Sequence, residues 1–126
     1  MRRPAEDIVA VLVAAGLGVA GQTVFSGQPT DIAEAPPIEV FVFSSGGVQM
    51  PYMGSGDSLK SPRLRAQVRS RTYLAGELHA NEIAALIDGH PSPGYAGWRA
   101  DLPIPMPKDG LGRFRWSIPI LVQYTE

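Results

Sequence analysis

Gly56-Asp57-Ser58-Leu59 spells the four-residue signature of a serine esterase. A nucleophilic serine needs a base within hydrogen-bond reach and a third group to orient that base. After Ser58 the chain offers only His79 and His90, neither in an Asp-x-x-His spacing, and Asp88-Gly89-His90 is one residue short of it. Pro62 also bars a helix directly after the serine. The match reads as coincidence in a Ser/Gly-rich stretch. Gly16-Leu17-Gly18-Val19-Ala20-Gly21 has the spacing by which glycines let backbone amides approach a pyrophosphate, but that motif must open a helix. Here Thr23-Val24-Phe25 follows, then Gly27 and Pro29, so the glycines read as a helix exit leading into a strand. The two histidines lack the i, i+4 pairing of a metal site on a helix face, and Glu77 and Glu82 point to different sides of theirs. The expectation is a protein that is not an enzyme and has no catalytic, cofactor-binding or metal site.

The charge pattern that rises above this background is basic. Lys60, Arg63, Arg65, Arg69 and Arg71 are five of the 11 basic residues and have no acid between them. They alternate with Leu64, Ala66, Val68 and Ser70, the period of a strand with one basic face. Arg113 and Arg115 extend that face if the last strand joins the same sheet. Guanidinium groups offer paired planar donors that suit carboxylate and phosphate alike. Like charges adjacent on a sheet repel, which argues for counter-charges from a partner over a plain solvated face. Asp31, Glu34 and Glu39 are the candidate counterparts, supplied by a neighbouring copy; the alternative is nucleic acid, with the chain acting as a small DNA-binding module through the 63–71 strand.

The elements that must position these groups are short. A chain of 126 residues suits one domain, 1–126. The net charge of -1 sets up no global field toward nucleic acid or membrane, and the lack of cysteine leaves the core alone to hold the fold. With 14 glycines and 12 prolines, much of the chain should be loop. A helix is expected over 4–15, with Pro4 in its first turn, Glu6 and Asp7 near its positive end, and Gly16 ending it. Arg2 and Arg3 before an apolar run imitate a signal peptide, but the acids interrupt that pattern and no stretch approaches a membrane span, so a soluble protein is expected. Strands are expected over 23–26 and 38–43. From 44 to 61 the composition turns to Ser, Gly and Met, which reads as a long flexible loop and an assembly element through Met50, Tyr52, Met53 and Asp57. A basic-faced strand from Pro62 leads to Thr72 as cap of a helix over 73–88, whose Gly76, Ala80, Ile83 and Ile87 form a seam that Gly89 closes. A strand over 98–104 enters a proline-rich bend, with turn chemistry at Lys108-Asp109-Gly110. In the closing strand Phe114, Trp116, Ile118, Ile120, Val122 and Tyr124 share one face, and Pro119 marks an edge or a bulge. The sum is an α+β domain, a mostly antiparallel sheet with two helices packed on it.

Several of these segments, taken in order, resemble the small tail terminator proteins of long-tailed phages, also termed tail completion or minor capsid proteins. The resemblance runs from Ala5-Glu6-Asp7-Ile8 with the Gly16-x-Gly18 exit, through Ile38 to Phe43 entering Gly46-Gly47. It is most specific in Pro62 to Arg69 followed by Tyr73, Gly76, Ala80, Ile83, Ile87 and Gly89. It closes with Asp109 to Arg113 entering Trp116-Ser117-Ile118. The resemblance implies a structural virion protein of the neck, assembled in the host cytoplasm as a homo-oligomeric ring, commonly of six. It implies contact with the tail tube protein on one side and a head–tail connector on the other, passing contact with DNA in the channel, and no membrane. A head-completion protein of the same neck is the alternative within this class.

Overall fold

The computed structural model describes residues 3–27, 37–51, 58–110 and 112–125. Its elements are α1 (Pro4–Ala14), β1 (Val24–Ser26), β2 (Ile38–Pro51), β3 (Ser58–Ser70), α2 (Tyr73–Ile87), β4 (Gly97–Ala100), β5 (Ile104–Met106) and β6 (Phe114–Thr125). Among the described residues the sheet has six strands in the order β1-β2-β3-β6-β4, with β5 alongside β6. β1 runs parallel to β2 and all other pairs are antiparallel. This is the α+β architecture that the alternation and the two helical seams predict.

Local chemistry accounts for the helix ends. Pro4 and the acids Glu6 and Asp7 occupy the first turn of α1. At its other end the N–H of Gly16 donates to Val13 and that of Leu17 to Leu12, both at 3.0 Å, while Gly16 takes a φ of 79°. That pair of bonds is the glycine-dependent motif that satisfies orphan carbonyls at a helix end. Ile8 and Leu12, one turn apart, are fully buried. Thr72 does not cap α2 with its side chain. Ser70 intervenes instead: its Oγ accepts from the Thr72 N–H at 3.2 Å and donates to the Thr72 carbonyl at 2.8 Å.

Register puts one set of side chains against the helices. Val40, Val68 and Trp116 lie abreast, as do Val42, Ala66 and Ile118, and all six are buried with Leu64, Ile120, Val122 and Trp98. α2 crosses β6, β3 and β4 on this side, laying Gly76, Ala80, Ile83 and Ile87 on the sheet. Gly76 is there for close approach, because a Cβ at that position would overlap the Trp116 ring.

Three expectations need correction. The stretch 44–61 is not a loop through its length: β2 continues to Pro51 and β3 begins at Ser58, paired from Gly46↔Arg63 to Pro51↔Ser58 after a register shift between Ser44 and Gly46. Glycine and serine lower strand propensity, yet an antiparallel partner supplies the ladder that the local sequence does not advertise. Of the assembly-loop residues, Met50 falls in β2 opposite Leu59, while Tyr52, Met53 and Asp57 lie outside the described residues. The strand expected over 98–104 ends at Ala100, and the proline-rich bend carries its own strand, β5. Pro119 sits on an inner strand, between the stretch of β6 paired with β5 and the stretch paired with β4. Its carbonyl accepts from the Asp101 N–H at 3.0 Å on that side, so its missing N–H faces the gap and breaks no ladder bond to β3.

Candidate functional site

The sheet face away from the helices carries the residues that alternate with the core: Glu39, Phe41 and Phe43 on β2, Arg63, Arg65, Gln67 and Arg69 on β3, Arg115, Ser117, Pro119 and Leu121 on β6, and Arg99 on β4. Of the predicted arginines, Arg63, Arg65, Arg69 and Arg115 lie on this one face. They do not share one environment.

At one end the basic face is roofed. Arg69 is 3% exposed, Arg113 4% and Glu39 fully buried. Arg113 Nη1 donates to Glu39 Oε1, and Arg69 Nη2 lies 3.5 Å from the same oxygen. Asp109 completes the cluster: Oδ2 accepts from Arg113 Nε at 2.8 Å and lies 3.9 Å from Arg69 Nη1, and Oδ1 accepts from the Arg113 backbone N–H at 2.9 Å. Among the described residues two guanidiniums and two carboxylates balance, which makes the burial tolerable. The Arg69 guanidinium also lies 4.5 Å from the centroid of Phe41, whose ring stacks on Phe25. Glu39, expected as a counter-charge from a neighbouring copy, is thus the counter-charge within its own chain, and Arg69 and Arg113 are interior groups. Alternation shows which way Arg69 points; it does not show that the turn around Asp109 folds over it. Asp31 and Glu34 lie outside the described residues.

At the other end the face is open. Arg63, Arg65 and Arg99 line a cleft of about 420 Å³ with Asp101, Pro119 and Leu121. Leu121 stands opposite Arg63 on one side and Arg99 on the other, so the guanidinium-bearing positions flank an apolar floor. Arg65 donates to Ser117 Oγ at 2.9 Å. Among the described residues none of the three arginines has a carboxylate within ion-pair distance. Sequence reasoning missed Arg99, which is a lone cation in its strand and joins the group only through the β4–β6 register. Arg115 donates from Nε to the Pro107 carbonyl at 2.8 Å, and Arg71 is exposed just past the end of β3.

The groups considered for chemistry are dispersed. Ser58 is paired opposite Pro51 at the far end of the hairpin. His90 stacks on Trp98 with ring centroids 5.2 Å apart. His79 is half-buried on α2, and desolvation lowers its pKa against the opposing pull of Glu82 and a backbone bond with Leu17. Glu77 holds the Tyr73 hydroxyl by a hydrogen bond that raises the tyrosine's pKa. Among the described residues no group of three or more His, Cys, Asp and Glu is placed to hold a metal ion, and no helix is long and apolar enough to cross a membrane.

The first turns of α2 present large apolar side chains to the outside, Leu74 at 66% and Leu78 at 55% exposed, with Asn81 and Glu82 exposed beyond them. Beside β6, Leu102, Ile104 and Met106 are also exposed. Fold and surface together define a two-layer α+β domain with a sealed ionic cluster at one end of its open sheet face and, at the other, arginines with no carboxylate partner among the described residues. No family model and no curated protein sequence matches the chain. Its fold is shared with a chain from the virion of a native gene transfer agent particle, with a TM-score of 0.59 at 10% identity, covering 94% of this chain and 84% of the other.

Proposed function

We propose that this chain is a structural subunit of a phage-like particle: a tail terminator that closes with copies of itself into a ring, hexameric by family resemblance, at the head-proximal end of the tail tube. There it stops tube polymerisation and offers its other side to a head–tail connector, in the neck of the virion. The observation that carries the reading is the fold shared over nearly the whole chain with a component of a gene transfer agent virion, joined by the resemblance of the 62–89 segment to tail terminators. Exposed leucines on α2 and arginines on the opposite face with no carboxylate partner among the described residues support it, because exposed apolar side chains and unbalanced charge on so small a domain favour association. The role is one of fitting surfaces together, with no covalent step, so a Ser58→Ala subunit assembles as the wild type does.

Imaging particles made without this protein tests the reading. Unusually long or headless tails are expected. Normal particles overturn it, and tails of normal length beside heads that fail to seal assign the chain to head completion instead.

A further inference from the structure

We infer that the arginine cleft of one subunit receives the outer face of α2 from the next copy, a head-to-tail contact that rests on the ring reading and names its interface. The two surfaces are complementary in order as well as in sign. On α2, Leu74, Leu78, Asn81 and Ala85 follow one another along the exposed stripe, apolar except at Asn81. At 3.6 residues per turn, Glu77 and Glu82 fall on opposite flanks of that stripe, with Cα atoms about 9 Å apart. In the cleft the order repeats with opposite charge: Leu121 and Pro119 form the floor, with Arg63 to one side and Arg99 to the other. Two strand spacings separate Arg63 from Arg99, about 10 Å. A largely apolar strip with a carboxylate on each edge therefore meets an apolar floor with a guanidinium on each edge.

Position within the subunit fits as well. α2 packs on the inner side of β6, β3 and β4, and the cleft opens on the outer side of those same three strands. The two surfaces thus lie back to back across the sheet, so no single subunit satisfies both against itself. A patch that matches a different patch on the next copy is heterologous, the arrangement that yields a closed ring when the rotation per step closes. Asp101 in the cleft disfavours a nucleic-acid strand, whose phosphates would run continuously past it, more than it disfavours α2, which brings carboxylates only at its two edges.

Charge reversal tests the contact. In Arg63→Glu/Arg99→Glu both surfaces are acidic, and in Glu77→Lys/Glu82→Lys both are basic. Native mass spectrometry of the full chain, at a concentration where the wild type associates, should find each variant monomeric. Their equimolar mixture should re-form assemblies with equal numbers of the two, because each altered surface now faces its opposite; this recovery also shows that both variants are folded. Leu74→Ser/Leu78→Ser should lose association without rescue by either partner. Association of both charge variants alone overturns the interface and leaves the ring reading standing. A wild type that stays monomeric overturns it too, while particle imaging still decides the terminator reading independently. Intact association of Arg63→Glu/Arg99→Glu together with lost binding to a 20-base-pair duplex also overturns it, and assigns the arginines to nucleic acid.

Discussion

Replacing Glu39 by glutamine separates an internal role for the ionic cluster from a role between subunits. Glu39 is fully buried and touches both Arg113 and Arg69. The amide keeps the shape and removes the charge, leaving two interior guanidiniums with Asp109 as their carboxylate among the described residues. Removing one partner from a buried ion pair costs about 3–5 kcal/mol, mostly because the remaining charge is left desolvated and uncompensated. A domain of this size is stable by about 5–15 kcal/mol, so a fifth or more of the total is at stake. In urea, with a slope of about 2 kcal/mol/M, the midpoint should fall by about 1.5–2.5 M at unchanged slope. The loss should not depend on protein concentration, because every group in the cluster belongs to one chain. Replacing Glu39 and Arg113 together by leucine and methionine should recover much of it, since a well-packed apolar pair avoids the desolvation. A Glu39→Gln midpoint within 0.5 M of wild type, about 1 kcal/mol at that slope, or a loss seen only where subunits associate, would refute the argument.

Two further perturbations test the packing and the titration. Gly76→Ala should destabilise the subunit by about 1–3 kcal/mol in thermal melts: the added methyl overlaps Trp116 and sits 2.7 Å from Ser70 Cβ, which outweighs the gain of about 1 kcal/mol in helix propensity. A melting temperature equal to or above wild type contradicts the close approach. His79 has its pKa lowered by desolvation, so the unfolded chain binds more protons than the folded one as pH drops below about 6.5. Its contribution is therefore present above that pH and lost on acidification. Urea midpoints at pH 7.5 and 5.5 should differ less for His79→Gln than for wild type, and an equal difference removes His79 as a source of acid sensitivity.

The strongly periodic parts of the chain are legible in the sequence. The 114–124 alternation, the Gly76–Ile87 seam and the glycine ends of both helices lie where sequence chemistry puts them, because each is fixed by neighbours within a few residues. The long β2–β3 hairpin was not legible. Its Ser/Gly-rich arms are strand only because they pair with each other, and pairing is a property of two segments. The site divides the same way. Alternation correctly puts Arg63, Arg65 and Arg69 on one face, yet whether each is open or sealed depends on where the Asp109 turn lands. Arg99 became visible only through its register with Leu121.

The order of strands sets a constraint on how the chain is made. β6 is the last element of the sheet in sequence but lies between β3 and β4, and it also carries β5. While a ribosome is still synthesising residues beyond 100, β3 has an empty flank and Arg69 has not yet met Asp109 or Arg113. The emerging chain must wait, with its longest hairpin uncovered, until β6 slots in. Deleting β6 therefore splits the sheet between β3 and β4 and leaves no trimmed edge, so whatever is joined beyond it needs enough slack for β6 to reach its place.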